Sequence, residues 1–171
     1  MEDLRAWIRD IPDFPKEGIV FKDITTLLKD RDAFARSIDL MVEHYDDKNI
    51  DQIIGIESRG FIFGSALAYE LGTGFVPVRK PKKLPAAIER VEYALEYGTD
   101  CVEIHRDALL PGQKVLIVDD LLATGGTAAA TARLVERLDA KVAGLAFLIE
   151  LSFLNGREKL KGYDIVSLIQ Y

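Results

Sequence analysis

Two carboxylates followed by a run of small and hydroxyl residues form the segment of this chain best suited to chemistry. Val115-Leu116-Ile117-Val118 is aliphatic, Asp119 and Asp120 follow, and Ala123-Thr124-Gly125-Gly126-Thr127 opens a helical pattern. A turn of that kind at a helix N-terminus offers unpaired N–H groups and hydroxyls to a phosphate, and its glycines allow positive φ and close backbone approach. Acids just upstream accept hydrogen bonds from sugar hydroxyls and favour positive charge developing on the ring. Phosphate plus ribose is the implied ligand. A Walker-type loop would carry a lysine, whereas Ala128 follows Thr127 here. The plainer alternative is a helix cap with two solvent-facing acids.

Three further clusters carry weaker signals. Gly55-Ile56-Glu57-Ser58-Arg59-Gly60 ends a strand pattern and starts a helical one, so amides at 58–60 and the Arg59 fork could hold an anion; an ordinary helix cap with a surface arginine fits as well. Arg79, Lys80, Lys82 and Lys83 concentrate positive charge in an otherwise acidic chain, which suits a departing pyrophosphate or simply a solvated hairpin. Residues 13–25, DFPKEGIVFKDIT, combine prolines, Gly18 and aromatics in a compact segment, where Phe21 by type alone reads as a packing residue.

The elements that position these residues follow from periodicity. Phe34, Ile38, Met41, Val42 and Tyr45 recur at helical spacing from about Asp30, and helical patterns also run from Gly60 to Leu71 and from Gly125 to Leu138. Aliphatic runs at 52–56, 75–78, 115–118, 142–149 and 163–169 read as buried strands. Strands alternating with helices predict a mainly parallel central sheet flanked by helices, with ligands at the carboxyl ends of the strands. The charged stretch 79–97 lacks sustained periodicity and reads as a long loop of the sort that serves as a lid.

With 171 residues, 49% hydrophobic and 29% charged, the chain predicts one globular domain spanning 1–171. A net charge of −6 disfavours nucleic acid and anionic membranes as partners, so an anionic substrate must be held locally. A lone Cys101, with neither a signal-peptide pattern nor an apolar run of spanning length, fits the cytoplasm. His44 and His105 lack metal-ligand spacing.

The run VLIVDDLLATGGT matches the PRPP (phosphoribosyl pyrophosphate) fingerprint of the type I phosphoribosyltransferases. ESRGFIFG, LEYG, DFP, Gly18-Ile19-Val20-Phe21 and ELSFLNGREKL extend a close resemblance to the adenine phosphoribosyltransferases over nearly the whole chain. That resemblance implies the type I fold, with an N-terminal hood at about 10–30 and a mobile lid at about 79–100. It implies purine salvage: the phosphoribosyl group passes from PRPP to adenine, giving AMP and pyrophosphate.

By the same resemblance Asp119, Asp120, Ala123, Thr124, Gly125, Gly126 and Thr127 hold the 5′-phosphate and ribose. Glu57, Ser58, Arg59, Gly60, Arg79, Lys80 and Lys83 hold the pyrophosphate, with a cis peptide at Glu57–Ser58. Glu96 and Arg59 are the implied catalytic residues, Glu96 handling the purine proton beside Tyr97. The backbone of Val20 and Lys22 would read the adenine edge, and Phe21 would stack on the base with Leu151 opposite. Magnesium, held mainly by substrate oxygens, and a homodimer are also implied.

Lys22 where some relatives carry Arg, Glu57 where some carry Asp, and Pro81-Lys82 in place of a more glycine-containing lid are departures. Two rivals are a salvage enzyme for another purine, such as hypoxanthine or xanthine, and a PRPP-sensing regulator that binds nucleic acid. The acidic charge and the short N-terminal segment oppose the second, and a PRPP synthetase would need a second domain and an ATP site.

Overall fold

The computed structural model describes residues 3–95 and 98–171. Its frame is a five-stranded parallel sheet in the order β4-β3-β7-β8-β9, built from β3 (Gln52–Ile56), β4 (Gly74–Val78), β7 (Lys114–Leu122), β8 (Lys141–Glu150) and β9 (Ile165–Gln170). The aliphatic runs of β3, β7 and β8 are buried on both faces, which is why they show no alternation, while the edge strands β4 and β9 are only partly buried.

Helices cover both faces. α2 (Arg31–Tyr45) is capped by Asp30, whose carboxylate accepts from the amides of Asp32 at 3.1 Å and Ala33 at 2.9 Å. It buries Ile38, Met41 and Tyr45 beside α3 (Gly60–Glu70), and together they cover one face through Ile53, Phe63, Leu67 and Leu116. α4 (Gly126–Arg137) covers the other face through Ala130, Leu134 and Val135 against Ile117, Leu145 and Phe147.

Residues 79–97, expected as a loop, contain regular structure. β5 (Ile88–Ala94) and β6 (Thr99–His105) form an antiparallel hairpin paired from Ile88↔His105 to Ala94↔Thr99. Its inner face carries Val91, Tyr93, Val102 and Ile104 into the core beneath α4. The period-two alternation is present over 90–94, but flanking charges and prolines mask it. The hairpin is fastened to the sheet edge by reciprocal backbone bonds between Arg79 and Glu103, at 3.0 and 2.8 Å.

The segment over 10–30 also contains strands. β1 (Arg9–Pro12) and β2 (Val20–Asp23) pair antiparallel, and α1 (Thr25–Leu28) leads on to α2. Asp23 ties the segment together, accepting from Arg9 Nε at 3.0 Å and from the Thr25 amide and hydroxyl at 2.9 and 2.7 Å.

Candidate active site

The carboxyl ends of β3, β4, β7 and β8 meet at one rim of the sheet, where side chains are released from ladder pairing to face a ligand. A cleft of about 310 Å³ opens there, lined by Ile56, Glu57, Ser58, Arg59, Lys80, Asp119, Asp120, Leu121 and Thr127. Residues from the phosphate turn, the Glu57-Ser58-Arg59 turn and the basic segment thus share one opening. Glu96, together with Tyr97, lies outside the described residues.

The phosphate turn has its own hollow of about 80 Å³, lined by Asp119 and residues 121–128, so Ala123, Thr124, Gly125, Gly126 and Thr127 all take part. That is the volume of a few waters, the scale of a phosphate group and not of a base. Gly125 has φ 78° at the N-cap of α4, and among the described residues no side chain caps the helix there. The first-turn amides therefore remain available to an anion. A Cβ on Gly125 would run into the Gly156 carbonyl, so both backbone angle and space demand glycine.

The acids are not solvent-facing, contrary to expectation. β7 continues to Leu122, four residues past the aliphatic run, so Asp119 and Asp120 belong to the strand. Asp120 is only 6% exposed and accepts from Arg59 Nε at 2.5 Å. Asp119 faces Gly60, where a Cβ would come within 2.7 Å of the Val118 carbonyl and 3.0 Å of the Asp119 carboxylate. Although the Asp119 residue keeps some open surface, its carboxyl is enclosed; burial first, and the neighbouring Asp120 second, push it well above the usual carboxylate range.

The peptide bond between Glu57 and Ser58 is cis, as the resemblance implied. Glu57 accepts from Arg79 Nε and the Lys80 amide, both at 3.0 Å, and pairs with Lys83. Burial would raise its carboxyl, but the contacts with Lys83, the Lys80 amide and Arg79 outweigh that and hold it low. Glu57 therefore organises cations. Arg79 and Lys83 bear on the cleft through it, and Lys80 pairs with Asp100.

The hood adds an aromatic wall. Phe21 stands edge-on to Phe14 at 5.2 Å, and its ring lies 5.7 Å from the Arg59 guanidinium carbon. Phe21 belongs to neither hydrophobic cluster of the core. Lys22 turns its ammonium to Asp10 at 2.7 Å and over the Tyr171 ring at 3.9 Å. Val20 is exposed, and Leu151 is fixed at the rim by donating its N–H to Leu122 O at 2.9 Å.

Sequence reasoning missed Tyr93, Asp100 and Tyr171. Alternation along 90–94 could have placed Tyr93 on an inner face; nothing in the sequence points to Asp100 or Tyr171. A larger hollow of about 420 Å³ lies behind Tyr93, lined also by Ala129, Arg133, Lys159 and Tyr163. Among the described residues its lining holds no carboxylate for a ribose, and of the phosphate turn it includes only Gly126.

The phosphoribosyl transferase domain model matches residues 23–169. The adenine phosphoribosyltransferase of Acidobacterium capsulatum is 61% identical over 170 residues, 99% of this chain and 94% of the relative. The chain belongs to the adenine phosphoribosyltransferase family. The crystal structure of that enzyme from Thermoanaerobacter pseudethanolicus superposes with a TM-score of 0.95 at 59% identity, covering 98% of both chains. The Saccharomyces cerevisiae enzyme, crystallised with D-2,5-dideoxy-2,5-imino-altritol 1,6-bisphosphate and adenine, superposes at 0.91 with 44% identity over 96% of each chain. The central parallel sheet flanked by helices is thus the type I phosphoribosyltransferase fold. Among the described residues, no helix is long and apolar enough to cross a membrane.

Proposed function

We propose that this chain joins adenine N9 to the anomeric carbon of PRPP, breaking the bond to pyrophosphate and giving AMP. The observation that carries this reading is the shared cleft, in which a phosphate-sized turn and two enclosed carboxylates meet Arg59 and Lys80, with Arg79 and Lys83 held on Glu57 and the Phe21 ring beside Arg59. Family membership supports the chemistry. The general domain match begins at Asp23, whereas the adenine relatives extend over the hood as well, which supports the hood as the part that selects the base.

The amides from Ala123 to Thr127 and the hydroxyls of Thr124 and Thr127 hold the 5′-phosphate. Asp119 and Asp120 accept from the ribose diol and favour the positive charge that the ring develops as the bond to pyrophosphate lengthens. Arg59, Lys80, Arg79 and Lys83, with the turn at Ser58 and Gly60, receive the pyrophosphate; Arg59 is drawn from Asp120 and Arg79 and Lys83 from Glu57, while Lys80 stays paired with Asp100. Phe21 and Leu151 sandwich adenine, the backbone of Val20 and Lys22 reads its edge, and Glu96 takes the N9 proton. Orientation and electrostatics supply the rate enhancement; no covalent enzyme intermediate is required.

Magnesium fits the donor set. Among the described residues no cluster of three or more His, Cys, Asp or Glu could hold a metal, while Asp119 and Asp120 offer oxygens to an ion otherwise bound by diphosphate and hydroxyl groups. When bound, it would neutralise charge on the diphosphate. We place the protein in the cytoplasm as a homodimer, the latter testable by sedimentation.

The deciding experiment offers radiolabelled adenine, hypoxanthine, guanine and uracil separately with PRPP and Mg²⁺. AMP formed from adenine alone is the expected result. Hypoxanthine turnover above that of adenine would overturn the choice of base, and no turnover of any base would overturn the reaction.

A further inference from the structure

Tyr93 lies on β5 where the hairpin crosses the start of α4, and it is 7% exposed. Its phenol oxygen has three polar neighbours. Lys80 Nζ donates to it at 3.0 Å, the Thr127 hydroxyl donates to it at 2.9 Å, and it donates to Asp100 Oδ2 at 3.1 Å. A phenol has one hydrogen and two lone pairs, so these partners saturate it. Lys80 and Thr127 line the same cleft from different elements, the first from the basic segment after β4 and the second from the first turn of α4. Among the described residues, Tyr93 is the one side chain hydrogen-bonded to both the basic segment and the phosphate turn.

We propose that Tyr93 is a positioning residue that couples the 5′-phosphate subsite to the pyrophosphate subsite through its chain of hydroxyl bonds. The proposal rests on the reading of the cleft given above. In the present arrangement Thr127 gives its only hydroxyl hydrogen to Tyr93, so it presents only lone pairs to the phosphate hollow. Phosphate oxygens are acceptors. An arriving phosphate therefore turns the Thr127 O–H toward itself, and the freed lone pair on Thr127 accepts the O–H of Tyr93.

Asp100 then loses one of its donors and keeps Lys80 and the Cys101 amide, the latter at 2.8 Å. Its carboxylate grips Lys80 more firmly, and Tyr93, no longer donating to an anion, competes less for it. Lys80 is fixed with an N–H free for the cleft. Occupation of the phosphate turn thereby orders a cation for the pyrophosphate before its bond to the anomeric carbon is broken. Neither subsite has to move as a body; a reversed hydroxyl chain carries the message.

Titration calorimetry in Mg²⁺ measures pyrophosphate affinity with and without saturating ribose 5-phosphate, and the ratio of the two affinities is the coupling factor. Tyr93→Phe keeps the buried ring and removes only the hydroxyl. It should lower that factor on the order of fivefold relative to the unmodified protein. Thr127→Ser, which retains the hydroxyl, should preserve it. A merely structural role would weaken both ligands without altering the ratio. An unchanged coupling factor in Tyr93→Phe overturns the proposal. If Thr127→Val loses ribose 5-phosphate and Lys80→Met loses pyrophosphate while the ratio stays indifferent to Tyr93, the coupling fails and the site reading survives. If neither variant weakens its own ligand, the site reading has failed, and the coupling with it.

Discussion

Arg59 Nε lies 2.5 Å from Asp120 Oδ2, joining the cation assigned to the leaving group with an acid assigned to the ribose. The pair is uneven in its surroundings: the Asp120 side chain is 9% exposed and that of Arg59 43%. The acid is the fixed member, set in β7, while the arginine reaches in from the turn before α3. A substrate diphosphate can draw Arg59 outward without disturbing the strand.

Asp120→Asn tests the acid's share. The amide fits the same space but carries no charge, so it cannot favour a cationic ribose ring. The expected loss in kcat/KM for PRPP is about 100-fold, the scale seen when one preorganised electrostatic partner is removed. Circular dichroism should show the fold intact. A near-normal kcat/KM would remove Asp120 from the transition state.

Asp119 bears on stability as well as on turnover. A carboxyl whose folded pKa is raised binds its proton more tightly in the folded state than in the unfolded one. The contribution of this one group is therefore most favourable below the ordinary value of 3.8 and is lost as pH rises from there through the raised value. Asp119→Asn removes that penalty. At pH 7 its Tm should exceed that of the unmodified protein by roughly 2–4 °C, the shift about 1 kcal/mol produces in a chain of this size. The gap should close in acid, and turnover should fall. Thermal scans between pH 3 and pH 7 check it; a variant less stable at neutral pH contradicts the enclosed carboxyl.

Gly125→Ala addresses the phosphate turn. The left-handed φ of 78° alone costs a non-glycine residue about 1–2 kcal/mol. The new Cβ also meets the Gly156 backbone, which cannot swing aside as a side chain tip can. The turn must shift, and its amides with it. KM for PRPP should rise at least about tenfold, equivalent to about 1.4 kcal/mol of lost binding. Unaltered KM would show that the turn does not hold the phosphate.

The frame and the segments that line the candidate cleft were legible in sequence because they depend on local pattern. Ile53 and Ile117 sit in runs apolar on both faces, and Gly125 and Gly126 announce a turn whatever surrounds it. Partnerships between distant segments were not legible. Asp120 looks solvent-facing until β7 proves to extend past the aliphatic run, and Tyr93 gains its role only when the hairpin folds onto α4, 34 residues from Thr127. Glu57 shows the same limit, since its type says acid while its three contacts make it the organiser of Arg79, Lys80 and Lys83.

Those contacts lead to a last prediction. Glu57 and a pyrophosphate compete for the same cations, because Arg79 Nε and Lys83 Nζ are bound to the carboxylate in the structure. The Glu57 charge also repels an anion entering beside it, and its carboxyl is held low, so the charge is present throughout the neutral range. Glu57→Gln keeps the shape, weakens the hold on both cations and removes the repulsion. Pyrophosphate should bind roughly tenfold more tightly, in line with the worth of one hydrogen bond to a charged group, and more so at low salt. Tighter product also leaves more slowly, so kcat should fall where release limits turnover. Inhibition by pyrophosphate against PRPP at two ionic strengths reads this directly. Weaker inhibition would mean that Glu57 acts instead as a scaffold without which the cations disperse.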